Sequence, residues 1–332
     1  MTDHETGSPG VVAVVIPVLN DWVSLKGLIA DLDKLPDLSG QRLDIVAVDD
    51  GSFPPPTLAN LAGEISGDGA VRSVRVIELA ANLGHQRAIA AGLVAVAARS
   101  QHDAVLVMDA DGEDRPEDAA RLIKAANGAA IVLALRSRRS EGPAFRLGYR
   151  IYQLLFRLLT GKTIRFGNFC LIPAQFLPAL THSPATWNNL AAAVMRSRLP
   201  TLDVPAPRGE RYAGRSQMNF TSLATHGLSA ISVYIDVMLI RIICAALAVS
   251  MLIVIAELTV VGLKLFTGLA IPGWASFIGV SLLVLLFQAL MFASIGLFQF
   301  LSFRSMPTVV PALYAPQFIT GTLELGRGSA ES

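Results

Sequence analysis

Short runs of apolar, β-branched residues recur along the first 140 residues and alternate with stretches of helical periodicity. The runs predict buried strands, and their alternation with helices predicts a mostly parallel sheet covered by helices on both faces. The predicted strands cover 11–16, 43–48, 71–79, 104–108 and 131–135, and the predicted helices cover about 21–34, 85–99 and 116–126. The predicted fold class is therefore α/β, with a Rossmann-like sheet.

Two longer apolar stretches, 242–263 and 274–300, follow in the last third of the chain. Each exceeds the ~20 residues that a helix needs to cross ~30 Å of hydrocarbon. The segment 264–273 between them contains helix breakers, so the pattern predicts a transmembrane hairpin. The polar N-terminus lacks a basic segment before an apolar core, so we expect no signal peptide. Arg241 and Arg304 flank the hairpin and Lys264 lies in its turn, which favours a multi-pass inner-membrane protein with its large domain in the cytoplasm.

These patterns divide the chain into six predicted segments. They are a disordered N-terminus (1–10), an α/β domain (11–220), a juxtamembrane helix (221–241), two transmembrane helices (242–263 and 274–300) and a cytoplasmic tail (304–332). Within the α/β domain, residues 143–161 form a basic amphipathic pattern, with Arg146, Arg150 and Arg157 near one face. This pattern fits an interfacial helix in the headgroup plane, and it also fits a packed helix with a solvated basic face.

The composition agrees with a membrane-anchored protein. Hydrophobic residues make up 52% of the 332 residues and charged residues 16%, against about 25% charged in an average soluble domain. The balance of 27 Lys+Arg against 26 Asp+Glu gives a net charge of +1, so we expect no nucleic-acid partner. Cys170 and Cys244 form neither a disulfide framework nor a metal-binding set.

Polar clusters follow five of the predicted strand ends, at residues 17–21, 49–50, 82–85, 109–111 and 136. In a parallel sheet these ends meet at one edge, where ligands bind. The sequence contains neither a Gly-x-Gly-x-x-Gly after the first strand nor a Walker A motif. Those absences argue against a dinucleotide dehydrogenase and a P-loop NTPase. A sugar nucleotide is the remaining common ligand of such an edge.

The acidic run after the fourth predicted strand is a candidate metal site. Asp109 and Asp111, two residues apart, can both reach one hard cation such as Mg²⁺ or Mn²⁺, and Glu113 could add a third oxygen. The cation would stabilise a diphosphate leaving group as the glycosyl bond breaks. Alternatively the two aspartates form a turn before the next helix, with Asp114 as its cap.

Asp49 and Asp50 end the second predicted strand. Their carboxylates can accept hydrogen bonds from the base or the ribose of a nucleoside. The alternative is an Asx turn, because Asp-Gly-Ser is typical of turns. His85 is more plausible as a polar residue at a helix start than as a catalytic base, since no Ser or Cys nucleophile accompanies it.

Together these motifs resemble family 2 glycosyltransferases of the GT-A fold, and within them the dolichyl-phosphate mannose synthase and bacterial polyprenyl-phosphate glycosyltransferase branch. The resemblance covers about residues 11–240, and a C-terminal two-helix anchor also recurs in that branch. The segments that carry it, in chain order, are 17–21, 48–52, 82–84 with 91–93, and 109–116.

The resemblance implies roles for individual residues. The positions that it places around the nucleotide sugar are Pro17, Leu19, Asp21, Asp49, Asp50, Asp109, Ala110 and Asp111. It assigns the metal and the diphosphate to Asp109, Asp111 and Glu113, and the acceptor phosphate to Arg136, Arg146 and Arg150. Of these, Asp111, Arg136 and Arg146 would be catalytic. The stretch from Arg211 to Ser216 resembles a loop that closes over the site.

The chain also departs from the family pattern. Glu113 stands where relatives usually have Gln, and Asn168 and Cys170 stand where they have Asp and Arg. Gln217 and Met218 replace a usual Lys-Tyr pair. These differences leave open an altered activity.

The predicted function is that of a metal-dependent, inverting hexosyltransferase for cell-envelope glycan modification. It would move a sugar from a nucleotide sugar, UDP rather than GDP, to polyprenyl (undecaprenyl) phosphate. A lipid phosphate is largely ionised near pH 7, with a second pKa near ~6, so it can attack without a strong base. The alternatives are a processive polysaccharide synthase, which two spans and the lack of Gln-x-x-Arg-Trp disfavour, and an inactive sugar-nucleotide-binding scaffold. The apolar hairpin could also pair copies of the chain into a homo-oligomer.

Overall fold

The structure is a computed structural model of the chain. It describes residues 10–35, 38, 40–55, 69–136, 143–163, 166–212, 227–267 and 273–326, without the side chains of 136, 143–147 and 149–152. The chain divides into two compact units. One unit comprises residues 1–151, 163–233 and 308–332, and the other comprises 152–162 and 234–307.

The first unit is built on an eight-stranded mixed sheet. Its strands are β1 (Val11–Val18), β2 (Arg42–Asp49), β3 (Val71–Leu79), β4 (Ala104–Val107), β5 (Ile131–Arg136), β6 (Phe166–Pro173), β7 (Thr201–Ala206) and β8 (Ile319–Gly326). Their order is β7-β5-β6-β4-β1-β2-β3-β8. β6 and β8 run antiparallel to their neighbours and the other pairs are parallel. The predicted α/β class and the five predicted strands are confirmed, with ends shifted by at most two residues.

Helices cover both faces of this sheet, as the apolar strands predict. The helices of this unit are α1 (Trp22–Lys34), α2 (His85–Ala97), α3 (Pro116–Ala125), α5 (Leu177–Thr181), α6 (Pro184–Asn188), α7 (Leu190–Ser197) and α8 (227–232), and α4 (Pro143–Thr160) has residues in both units. β1 is buried on both faces: Val12 and Val14 join a core with α1 and α3, while Ala13 and Val15 join a second core with α2 and α7. The carboxyl ends of β1, β2, β3 and β4 therefore meet at one polar edge.

The C-terminal segment corrects a predicted boundary. The sequence predicts a tail over 304–332, but β8 lies within it and pairs with β3, with Ser73 opposite Gly326 and Leu79 opposite Ile319. Leu323 and Leu325 pack against the core of the sheet. Part of the predicted tail therefore belongs to the sheet, where these apolar residues cover the edge of β3, which would otherwise be open. The sheet domain therefore continues beyond residue 220.

The second unit contains two long helices, α9 (Ile235–Phe266) and α10 (Trp274–Ser305). Both are long and apolar enough to cross a membrane, and most of their side chains are exposed. α9 begins before the predicted span, within the predicted juxtamembrane helix. In the same unit, Arg241 donates to the Leu158 carbonyl at the end of α4 at 2.7 Å. The Phe156 and Tyr234 rings meet edge to face, 6.1 Å apart. A short helix, α11 (Pro311–Tyr314), then leads to β8 in the first unit.

Candidate active site

The loop after β2 is held by its two aspartates. The Asp49 carboxylate accepts a hydrogen bond from the Ser52 amide at 2.9 Å. Asp50 accepts from the amides of Leu83 and Gly84 at 2.7 and 2.9 Å, which ties this loop to the start of α2. Burial raises the pKa of Asp50, and the two amide donors oppose that rise. Both buried carboxylates are thus engaged by backbone amides, as the Asx-turn alternative expects, and their contact with a nucleoside stays a prediction.

The loop after β1 is tied to the same region. The Asn20 amide donates to Ser52 Oγ at 2.8 Å, and the Phe53 amide donates to Asn20 Oδ1 at 2.8 Å. Asn20 adopts the left-handed conformation, with φ 55°. The Phe53 side chain is 87% exposed and that of Leu19 is 44% exposed. The two loops therefore present apolar side chains at the polar edge. Sequence patterns missed Phe53 because an exposed aromatic in a Pro-rich loop matches no motif.

Two further predicted nucleoside residues flank the β1 loop. Pro17 lies in β1, and Asp21 immediately precedes α1, where its carbonyl accepts from the Leu25 amide at 3.1 Å. Ala110 lies in the turn after β4 and is buried. The structure thus brings these backbone positions to the edge where the strands end.

The acidic segment after β4 forms a compact turn. The Asp109 amide donates to Asp114 Oδ2 at 2.9 Å, and the Glu113 amide donates to Asp111 Oδ1 at 3.0 Å. Asp114 thus closes the turn, whereas the residue that precedes α3 is Arg115, without a side-chain cap. Gly112 has φ +88°, and a Cβ there would lie 2.8 Å from the Glu210 carbonyl. Glycine is required at this position because of both the backbone conformation and the close approach.

Two arginines from the segment after β7 contact the acidic turn. Arg211 Nη2 lies 2.8 Å from Asp111 Oδ2, and its Nε donates to Glu113 Oε1 at 2.9 Å. Arg208 donates to the same Glu113 oxygen at 2.5 Å. Burial opposes the charge of Glu113, but the two arginines outweigh it and lower the pKa of this carboxyl. Burial raises the pKa of Asp111, and the charges of Asp109 and Glu113 add to the rise.

His85 begins α2 and lies beside the same turn. Its Nε2 is 3.3 Å from Asp109 Oδ1 and 3.2 Å from Asn168 Nδ2. The Leu190 amide donates to Gln86 Oε1 at 2.9 Å, and Gln86 Nε2 donates to Asn168 Oδ1 at 3.1 Å. Burial opposes the imidazolium, but the Asp109 carboxylate outweighs it and raises the pKa of His85. The departure at Asn168 therefore belongs to a hydrogen-bonded network that reaches Asp109.

The predicted three-carboxylate metal set is not assembled as such. Among the residues that the structure describes, no three His, Cys, Asp or Glu side chains form a group that could hold a metal ion. Glu113 faces the two arginines. Asp109 and Asp111 still provide hard oxygen donors at the strand end, and their mutual repulsion is the kind that a bound divalent cation relieves. Two carboxylates fit a cation whose other ligands are phosphate oxygens.

Several predicted site residues cannot be placed. Arg136 ends β5, and Arg146 and Arg150 lie in α4, but their side chains are outside the described part of the structure. Ser216 also lies outside the described residues. The roles of these four residues stay predictions. Cys170 is buried in β6, and burial raises the pKa of its thiol to about 12. It is therefore a core residue without acid–base or nucleophilic reactivity at neutral pH.

Comparisons with known proteins agree with the motif set. A family model described as Glycosyl transferase family 2 matches residues 13–177. Relatives from Salmonella paratyphi B and Salmonella newport, named undecaprenyl-phosphate 4-deoxy-4-formamido-L-arabinose transferase, are 28% identical over 219 residues. The match covers 64% of this chain, and the chain spans 64% of the length of these curated relatives.

Solved structures give looser similarities. A glucosyl-3-phosphoglycerate synthase from Mycobacterium tuberculosis, in complex with Mg²⁺ and uridine diphosphate, has a TM-score of 0.46 and 15% identity, covering 69% of this chain and 79% of that one. A mannosyltransferase from Pyrobaculum calidifontis with GDP-Man and Mn²⁺ has a TM-score of 0.42 and 16% identity, covering 94% and 80%. The membership predicted from the motifs is confirmed by the family match: this chain carries a glycosyl transferase family 2 domain over residues 13–177.

Proposed function

We propose that this chain transfers a sugar from a nucleotide sugar to the phosphate of a polyprenyl lipid at a membrane surface. The observation that carries the proposal is the convergence, at the polar edge of a family 2 domain, of Asp109 and Asp111 with Arg211 and His85. The same chain has two helices of membrane-spanning length. The names of the curated relatives, which specify undecaprenyl phosphate, support the choice of acceptor.

The nucleotide would lie along the loops after β1 and β2, with its diphosphate beside the acidic turn. Leu19 and Phe53 offer exposed apolar surface for the base, and stacking on an aromatic ring suits such a ligand. Asp109 and Asp111 would hold the divalent cation, Mg²⁺ or Mn²⁺. When bound, that cation supplies charge neutralisation for the diphosphate. Arg211 adds a cationic donor to the same place.

The reaction would be a single in-line displacement. An oxygen of the lipid phosphate forms a bond to the anomeric carbon while the bond from that carbon to the diphosphate oxygen breaks. The nucleoside diphosphate leaves with the bonding electron pair, and the anomeric configuration inverts. Arg136 and Arg146 would orient the attacking phosphate, as the resemblance implies. The ionised phosphate needs no general base, so catalysis depends on positioning and on charge neutralisation.

The connectivity of the chain supports a membrane hairpin. Residues before α9 and residues after α10 belong to the same folded unit, because β8 pairs with β3. If α9 and α10 cross a bilayer, α9 must therefore carry the chain to the far side and α10 must bring it back. Arg241 and Arg304 at that side and Lys264 at the turn favour the cytoplasm for the catalytic domain. An acceptor with a lipid tail and a charged head suits this arrangement.

The identity of the donor is the least constrained part of the proposal. We predict a UDP-hexose, but the sugar in the relatives' names is a pentose derivative. A donor panel must therefore contain hexoses and pentoses on both uridine and guanosine diphosphate.

The test is the dependence of donor cleavage on the lipid. Full-length protein in nanodiscs is incubated with each donor, with and without undecaprenyl phosphate, and release of nucleoside diphosphate is measured. We expect release that requires the lipid and is abolished by EDTA. Donor binding without release in the presence of lipid would contradict the proposal and favour the scaffold alternative.

A further inference from the structure

We propose that Glu113 is a positioning residue that, together with Arg208, holds the Arg211 guanidinium beside Asp111 at the donor's diphosphate. The inference rests on the proposed function. It replaces the expectation that Glu113 ligates the metal ion, and it gives Arg208 a role that the sequence motifs do not assign.

The contacts of Glu113 are the first support. Its Oε1 accepts from Arg208 Nη2 at 2.5 Å and from Arg211 Nε at 2.9 Å. The other edge of the Arg211 guanidinium reaches Asp111, with Nη2 2.8 Å from Oδ2. The Glu113 side chain is 11% exposed, so removing its cationic partners would leave a largely buried charge uncompensated. The charge of the Glu113 carboxylate is therefore compensated by the two arginines.

The backbone fixes the arginine segment on the acidic turn. We call residues 208–212 the arginine strap. The Gly209 amide donates to the Glu113 carbonyl at 2.9 Å, and the Tyr212 amide donates to the Asp111 carbonyl at 3.0 Å. The Tyr212 hydroxyl donates to Asp31 Oδ2, on α1, at 2.7 Å. These bonds hold the strap whether or not the side chains of the turn change partners.

The charges explain why an acid is needed at position 113. Arg208 and Arg211 converge on one carboxylate oxygen, and two like charges so close repel each other unless an anion lies between them. A neutral glutamine would keep the shape of the side chain but not this compensation. Arg208 would then push Arg211 away from Asp111.

Donor binding would use this arrangement directly. If Asp111 held the divalent cation, Nη2 of Arg211 would donate to a diphosphate oxygen in place of the Asp111 carboxylate. Its Nε stays on Glu113, so the guanidinium is already oriented. Preorganisation of this kind strengthens binding because the side chain loses little additional freedom.

The test separates metal binding from donor binding. Glu113→Gln, Arg208→Gln, their double variant and Asp111→Asn are compared with wild type, and Arg121→Gln serves as a control. Arg121 is a half-exposed arginine that pairs with Asp118 on α3. Mn²⁺ binding is followed by electron paramagnetic resonance in the presence of UDP or GDP. Nucleotide binding is measured by calorimetry at saturating Mn²⁺, and KM and kcat are measured with the nucleotide sugar that the donor panel selects.

We expect Glu113→Gln to weaken nucleotide binding and raise the donor KM about tenfold, with kcat changed less than about threefold. Mn²⁺ affinity should stay within about threefold of wild type, whereas Asp111→Asn should lose it. The double variant should be no worse than the single ones, because both remove the same contact. Loss of Mn²⁺ binding in Glu113→Gln as complete as in Asp111→Asn would overturn the inference. Failure of wild type to bind either nucleotide with Mn²⁺ would instead refute the proposed function.

Discussion

Replacing Asp111 by Asn tests the chemistry of the acidic turn with minimal change in shape. The asparagine Oδ1 can still accept from the Glu113 amide, as the Asp111 carboxylate does at 3.0 Å. The substitution removes one negative charge that lies 2.8 Å from Arg211 Nη2. Arg211 keeps its second anionic partner, Glu113. The perturbation is thus confined to the charge facing the proposed cation.

The expected effects on stability and on activity differ widely. The Asp111 side chain is 17% exposed, and its burial already disfavours the carboxylate, so the lost ion pair is offset by relief from desolvation. We expect the free energy of unfolding to change by less than about 1 kcal/mol. Loss of a preorganised charge at the leaving group should lower the rate of transfer by about 100- to 1000-fold.

The assay measures transfer of radiolabelled sugar to undecaprenyl phosphate alongside thermal unfolding. Asp103→Asn is the matched control, because Asp103 also accepts from backbone amides, those of Gly10 and Val11. It immediately precedes β4 and so lies at the opposite end of that strand from the acidic turn. An Asp111→Asn variant that keeps more than about a third of wild-type transfer in EDTA would refute the metal assignment. An equal loss of activity in Asp103→Asn would show that the effect is structural.

Three further changes test other parts of the molecule. Phe53→Ala should raise the donor KM about tenfold without lowering the melting temperature, because the exposed ring is proposed to stack on the base; an unchanged KM would exclude that contact. Asp44→Asn should reduce the free energy of unfolding at pH 7 by about 2 kcal/mol, since buried Asp44 accepts from His102 at 2.9 Å and also pairs with Arg72. These partners outweigh desolvation and lower the pKa of Asp44. The stability that the Asp44 carboxylate adds to the folded protein is therefore complete above about pH 4 and is lost as the pH falls below that value. Equal acid sensitivity of variant and wild type in denaturant titrations would contradict this. Ending the chain after Phe318 removes β8 and should lower the melting temperature and cause aggregation through the exposed edge of β3; a soluble variant of unchanged melting temperature would show that the strand is dispensable.

Most of the parallel strands could be predicted because β1, β2, β4 and β5 are largely apolar runs. A strand buried on both faces has no polar alternation, and the runs ending at Val18 and at Asp49 match that pattern. β7, by contrast, is largely exposed. In β8 the only leucines are Leu323 and Leu325, and its partner β3 lies about 240 residues earlier in the chain. Neither has the local signal of a buried strand.

The position of the site was equally predictable, whereas its internal bonding was not. Strand ends converge by topology, so Asp50, Asp109 and Asp111 had to lie at one edge. Which carboxylate faces a backbone amide, an arginine or open space depends on tertiary contacts. Glu113 illustrates this, because its partners Arg208 and Arg211 are 95 and 98 residues away in sequence.

Mass spectrometry of the lipid product tests directly whether the chain transfers a sugar to the lipid phosphate. Membranes containing the full chain are supplied with undecaprenyl phosphate and a mixture of UDP- and GDP-sugars. The lipids are then extracted and their masses are measured. We predict a new lipid species that is heavier than undecaprenyl phosphate by one sugar residue, is formed by the wild-type protein and is absent with Asp111→Asn. A lipid pool unchanged by the wild-type protein under all donors, or a polymer in place of a single sugar, would contradict it.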